Sequence, residues 1–133
     1  MARVRKLKKY GLSEHRIKEI KEFCYQYPEW ELKVNANRDV LKAVKYDGMP
    51  SGTGIGRPTE AISLENVELE ELMKIVEDSA KEADYEIWQW ILAGVTDPFN
   101  TFNRLKGRGM PCERDKYYEG RRKCYFLVSC KRR

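Results

Sequence analysis

Residues 99–128 read FNTFNRLKGRGMPCERDKYYEGRRKCYFLV. Phe99, Phe102 and Leu105 recur at three-residue steps, the spacing of one face of a short helix. Gly107, Arg108, Gly109, Met110 and Pro111 interrupt it, since glycine and proline together punctuate regular structure. A long helix then starts near Cys112 and runs to about Ser129. Its buried side is drawn from Tyr117, Gly120 or Arg121, Cys124, Phe126 or Leu127, and Val128. The apolar run Tyr125 to Val128 keeps the helical period, and no segment of the chain alternates as a strand does. The stretch is a short helix, a turn and a long basic helix, which predicts an all-α fold. It is also the layout of a helix-turn-helix, whose second helix enters the major groove of DNA.

In that layout the first two turns of the second helix meet base edges. The base-contact candidates are therefore Glu113, Arg114, Asp115 and Lys116. The phosphate-contact candidates are Arg104, Lys106, Arg108, Tyr118, Arg121, Arg122 and Lys123. Phosphate contacts fix the register of a protein on DNA and read no sequence.

Working back from this stretch, Asp97 and Pro98 open its first helix. Asp84 caps a short helix over residues 85–93, with Ile87, Trp88, Ile91 and Leu92 inward and Gly94 closing it. A long helix over residues 59–83 starts at Thr59. Ile62, Leu69, Val76 and Ala83 step by seven along it, with Leu72 between, a seam suited to helix pairing. Glu65, Glu68, Glu70, Glu71, Glu77 and Asp78 occupy its other sides. Residues 48–58, GMPSGTGIGRP, form a glycine-rich hinge. No strand precedes it and no Lys-Ser/Thr pair follows it, so it lacks the context of a phosphate-binding loop. Ser13 caps a first helix carrying Ile17, Ile20, Phe23, Cys24 and Tyr27 on one face. Pro28 opens a second, with Trp30, Val34, Leu41 and Val44 aligned and Asn37 in the missing step. The expected organisation is a basic arm over 1–10, a helical bundle over 11–83 and a DNA-binding unit over 84–133, with five to six helices in all. The apolar seam of 59–83 is expected to pack within the chain, and the hinge to allow exchange between copies into a homodimer.

The charge is unevenly placed. Residues 1–10 carry five basic side chains and no acid, and residues 104–133 carry eleven against three acids. Within a net charge of +5, the stretch between is left at −8. Basic ends suit a polyanion, and nucleic acid is the obvious one, because each neutralised phosphate releases counterions. No apolar run has the length of a membrane span. The basic start lacks an apolar h-region, so a secretory signal is not expected.

A family resemblance enters at Gly109 to Val128. Met110-Pro111-Cys112 leads to the pair Tyr117-Tyr118, then to Arg121-Arg122-Lys123 and an aromatic-Leu finish. This resembles the C-terminal end of phage transcriptional regulators of the RinA and ArpU type, which are related to the sigma-factor domain that reads an upstream promoter element. The opening, Lys9 to Ser13 and Tyr27 to Trp30, and the Pro58-Thr59-Glu60 that follows the glycines are similar to small prophage proteins of Gram-positive bacteria. The resemblance implies double-stranded DNA binding at a phage promoter, RNA polymerase of the host as partner, and a place in the bacterial cytoplasm. A small terminase-like packaging protein and a helical adaptor acting through the acidic helix are the competing expectations.

Enzymatic constellations do not assemble. His15 is the single histidine, so neither a Ser-His-Asp nor a Cys-His pairing has a second support. The four cysteines contain no CxxC pair, too few zinc ligands at the wrong spacings. Cys112, near a helix start, could have a lowered pKa, but a capping or half-buried thiol is the plainer role. Trp88, Trp90 and Tyr85 sit at helical spacing and are assigned to the core rather than to base stacking. No cofactor and no metal is expected.

Overall fold

A computed structural model describes residues 10–47 and 59–132. The expected arm residues 1–9 and the glycine-rich hinge 48–58 lie outside the described residues. Six helices and no strand are present among the described residues: α1 (Glu14–Tyr25), α2 (Tyr27–Asp47), α3 (Thr59–Ala83), α4 (Trp88–Thr96), α5 (Phe102–Gly107) and α6 (Arg114–Lys131). The fold is all-α.

The caps follow the local chemistry. Ser13 accepts from the Arg16 amide at 3.1 Å, so α1 starts where expected. Only Gln26 separates α1 from α2, and Pro28 falls in the first turn of α2, where its missing N–H costs nothing. α2 and α3 run as a helical pair. Near residues 34–37 and 65–66 their interface is polar. Asn37 donates to Glu65 at 2.9 Å and to Asn66 at 2.8 Å, and Asn66 donates to the Val34 carbonyl at 3.3 Å. The missing apolar step at Asn37 is thus filled by a buried amide pair.

One hydrophobic core joins Ile17, Ile20 and Phe23 of α1, Val76 and Ala80 of α3, Ile91 and Val95 of α4, Leu105 of α5 and Tyr117, Cys124 and Val128 of α6. It spans the expected boundary after residue 83. Burial of each large side chain in it contributes about 2–3 kcal/mol. α6 is the mast: α1, α3 and α4 all pack against it. The apolar seam of α3 is taken up inside the chain, with Ile62 and Val76 buried and Leu69 and Leu72 half-buried.

Four local expectations are corrected. Gly94 does not close α4; it lies inside the helix, which runs to Thr96. A Cβ there would stand 1.8 Å from the Tyr117 hydroxyl, so this glycine answers a close approach and not a stop. The helix over 85–93 starts later, at Trp88, because Asp84 accepts from the Glu86 amide in a turn over 85–87. Phe99 is not part of the buried face of α5. Asp97 accepts from its amide in a local turn, Thr101 takes the cap, and the ring is 74% exposed. Val44 is exposed and Leu41 half-buried, so the inner face of α2 opens towards its end.

Candidate nucleic-acid interface

The corner between α5 and α6 is built by a C-terminal capping motif. The Met110 amide donates to the Leu105 carbonyl at 3.2 Å and the Gly109 amide to the Lys106 carbonyl at 3.1 Å. Gly109 has φ +106°, in the left-handed region that a side chain would strain. Met110 and Leu105 are both buried, the apolar contact that completes this kind of helix end. The chain thereby turns back and enters α6 after residues 108–113, a connection longer than the three or four residues of a DNA-binding helix-turn-helix.

This turn faces a set of cations outward. Thr101 caps α5 by accepting from the Arg104 amide. Phe102 and Leu105 point in, which leaves Arg104 and Lys106 exposed. Arg108 donates to the Asn100 side chain at 3.3 Å and Arg114 to the Asn103 side chain at 3.4 Å. The Arg114 guanidinium also lies 4.6 Å from the Phe102 ring centroid, a cation–π contact that restrains it. Among the described residues Arg104, Arg108 and Arg114 have no carboxylate partner, so their charge is not neutralised locally. Lys106 donates to the Cys112 carbonyl at 3.0 Å and stands 3.6 Å from Glu113.

The four base-contact candidates all fall on the exposed first turn of α6 or its cap. Glu113 is the N-cap residue, with its side chain 90% exposed and no capping hydrogen bond. Arg114 and Asp115 are exposed. Lys116 is exposed too, but it is held from behind. It bonds Glu86 at 2.6 Å and lies 3.9 Å from Asp84. The hydrogen bond and charge of Lys116 pull the Glu86 carboxyl below its ordinary pKa, and the bond to Glu86 raises that of Lys116.

The phosphate-contact candidates divide into two groups. Arg104, Lys106 and Arg108 join the corner. Arg121 and Arg122 do not project from the surface as expected. Arg122 is 11% exposed and bonds Glu119 at 2.8 Å. Arg121 turns inwards, and its Nε and terminal N–H both donate to the Tyr125 hydroxyl, at 3.3 and 3.1 Å. Only Lys123 of that run is exposed. Tyr118 is half-buried, packed on Phe102 and Tyr117. The physical reason is that α1, α3 and α4 cover α6 beyond its first turn.

The thiols are quiet. Burial pushes Cys24 up to about 12, Cys124 well above its ordinary value and Cys112 upwards as well. Cys112 is therefore a buried thiol with no activation from the helix start. No group of acids, cysteines and histidine that could hold a metal occurs among the described residues. No helix among them is long and apolar enough to cross a membrane. Asn100 and Asn103 hold two of the corner arginines and are not singled out by the sequence. Their signal is an amide eight or eleven residues from an arginine, too common to be selective.

No protein family, curated protein or solved structure matches the chain.

Proposed function

We propose that the chain binds double-stranded DNA through the α5–α6 corner. The observation that carries this is that Arg104, Arg108 and Arg114 are exposed together, two of them steadied by asparagine amides and none by a carboxylate. Unneutralised guanidinium groups at an exposed helical corner suit phosphates and guanine edges. The first turn of α6 supplies the residues for base readout, and α5 with Arg108 supplies backbone contacts. The acidic α3 surface keeps the attraction local to the corner and orients the molecule on the duplex. Within this class, promoter control in a phage or prophage, with host RNA polymerase as partner, is supported by the resemblance of residues 109–128 to RinA and ArpU regulators.

The test is fluorescence anisotropy of a labelled duplex over a salt series. The wild type is expected to bind with a steep fall of log K against log salt. Arg104→Ala, Arg108→Ala and Arg114→Ala together are expected to lower that slope by about two units, one for each phosphate contact of Arg104 and Arg108, and to relax sequence preference through Arg114. Thermal unfolding of the same variant is expected to match the wild type, because none of the three side chains is buried. Salt-insensitive or absent DNA binding would favour an adaptor. A stable many-subunit ring in sedimentation velocity would favour packaging.

A further inference from the structure

Phe99 is held in water by a built turn. Four phenylalanines occur in the chain. Phe23 and Phe102 are buried and Phe126 is half-buried, whereas the Phe99 ring is 74% exposed. A loose surface loop would let such a ring fold back onto apolar neighbours. This turn does not, because its backbone is tied down. Pro98 sets its own φ. The Phe99 amide donates to the Asp97 carboxylate at 2.9 Å, and the Asn100 amide to the Asp97 carbonyl at 3.1 Å. The Thr101 amide donates to the Phe99 carbonyl at 3.1 Å, and Thr101 in turn caps α5. The Asn100 side chain ties the turn to α4, donating to the Ala93 carbonyl at 3.1 Å. The ring is thus displayed on a rigid seat, and the entropy of ordering that seat is not lost again when a ligand binds.

The same seat carries a cation of the corner. The side-chain oxygen of Asn100 accepts from Arg108 at 3.3 Å, so Arg108 is held by the residue next to Phe99. Arg104 follows on the first turn of α5, its amide bonded to Thr101. An exposed apolar ring beside guanidinium groups suits nucleic acid: the cations take phosphates and the ring takes the face of a base. The other strongly exposed ring, Tyr85 at 75%, differs. It keeps a hydroxyl in water and precedes Glu86, whose carboxylate holds Lys116. We propose that Phe99 inserts at a base step of the duplex bound at the α5–α6 corner, as a wedge that partly unstacks two base pairs and bends the DNA. This rests on the DNA-binding reading of the corner and adds to it a source of sequence preference. The pyrimidine–purine steps TA and CA/TG unstack at least cost, so the wedge favours duplexes that offer one beside the phosphates held by Arg104 and Arg108.

The measurement pairs anisotropy of a labelled duplex with the emission of 2-aminopurine placed beside a central TA step, which brightens when that base unstacks. The wild type is expected to raise the emission, and to bind the TA duplex about three- to tenfold more tightly than an A-tract of equal length. Phe99→Ala is expected to lose about five- to a hundredfold in affinity, together with the emission rise and the TA preference, at an unchanged salt slope. Phe99→Trp keeps a stacking face and is expected to retain all three. Leu32→Ala, on α2 and equally an exposed apolar side chain, is expected to bind as the wild type does. Phe99→Ala is expected to melt with the wild type, because the ring lies in water. Equal affinity in wild type and Phe99→Ala, or a loss of affinity with no emission rise in the wild type, would overturn the insertion and leave the reading of the corner in place. Absence of salt-sensitive duplex binding in the wild type would remove the reading of the corner, and the insertion with it.

Discussion

Arg114 and Arg121 stand seven residues apart on one helix, in opposite surroundings. Arg114 lies in water at the corner, held over Phe102 and against an asparagine. Arg121 is enclosed by tyrosines under α1. The same residue type performs different work because the packing around α6 changes along its length. At its first turn α6 is uncovered, whereas from Tyr117 onwards it is the centre of the core. A positive side chain in the first region is available to a ligand approaching from solvent. One in the second is satisfied by the fold, as Arg121 is by the Tyr125 hydroxyl.

The sharpest way to break this comparison is at Gly94. If α6 is the mast of the core, Gly94→Ala drives a methyl group into the fully buried Tyr117 and is expected to cost about 2–3 kcal/mol in denaturant unfolding, net of the helix propensity that alanine gains. Tyr117→Phe in the same chain removes the oxygen that clashes and is expected to recover part of the loss. A neutral or stabilising Gly94→Ala would mean that α6 is a peripheral helix, and the contrast between its two ends would vanish.

Next in size is the alkaline response. Cys24 has its pKa raised to about 12 from 9.0, and burial also raises Cys124 and Tyr125. A raised folded-state pKa means that the unfolded chain releases the proton first. The stabilising contribution is complete below pH 9 and is lost as pH rises from 9 to about 12. Each group that titrates in that window steepens the fall by about 1.4 kcal/mol per pH unit. Cys24→Ser is expected to flatten the curve, as measured by urea unfolding at stepped pH. A flat profile to pH 12 in the wild type would show that the length of α6 is not dry.

Much of the helical frame was legible in the chain itself. Ser13, Thr59 and the period of 59–83 locate helix starts and a buried seam from local chemistry alone, and the structure puts α1 and α3 there. Gly94 and Phe99 depart from the local reading for different reasons. The local signal of a glycine is backbone freedom, whereas position 94 requires the missing side chain, since a Cβ would stand 1.8 Å from the hydroxyl of Tyr117, twenty-three residues away. The Asp97-Pro98 pair imitated a helix start that Thr101 provides. The candidate site shows the same limit. Exposure of Arg104, Arg108 and Arg114 follows from their place around a short helix and its turn. The enclosure of Arg121 and Arg122 depends on α1, α3 and α4 arriving from distant parts of the chain, which a local run of basic residues does not encode.

The smallest effect tests the corner from within. Lys116 and Arg114 lie two residues apart, but Lys116 is bonded to Glu86 and Arg114 to a neutral amide. The charge of Lys116 is thus partly spent within the fold. Lys116→Ala is expected to reduce duplex affinity less than Arg114→Ala at low salt, by a factor of roughly three to ten between them. Glu86→Gln should act in the opposite sense, releasing Lys116 and removing a negative charge near the phosphates, so affinity should rise severalfold. Stability should hardly change in either variant, because the pair is exposed and such pairs contribute little. The acid side offers an independent reading. Glu86 is held below its ordinary 4.5, so its share of the pair is present above that pH and fades as pH falls through its folded value. Side-chain NMR titration should show that depressed carboxyl return to its ordinary value in Lys116→Ala. If Lys116→Ala and Arg114→Ala weaken DNA binding equally, Glu86 does not restrain Lys116, and the corner acts as one undivided patch of charge.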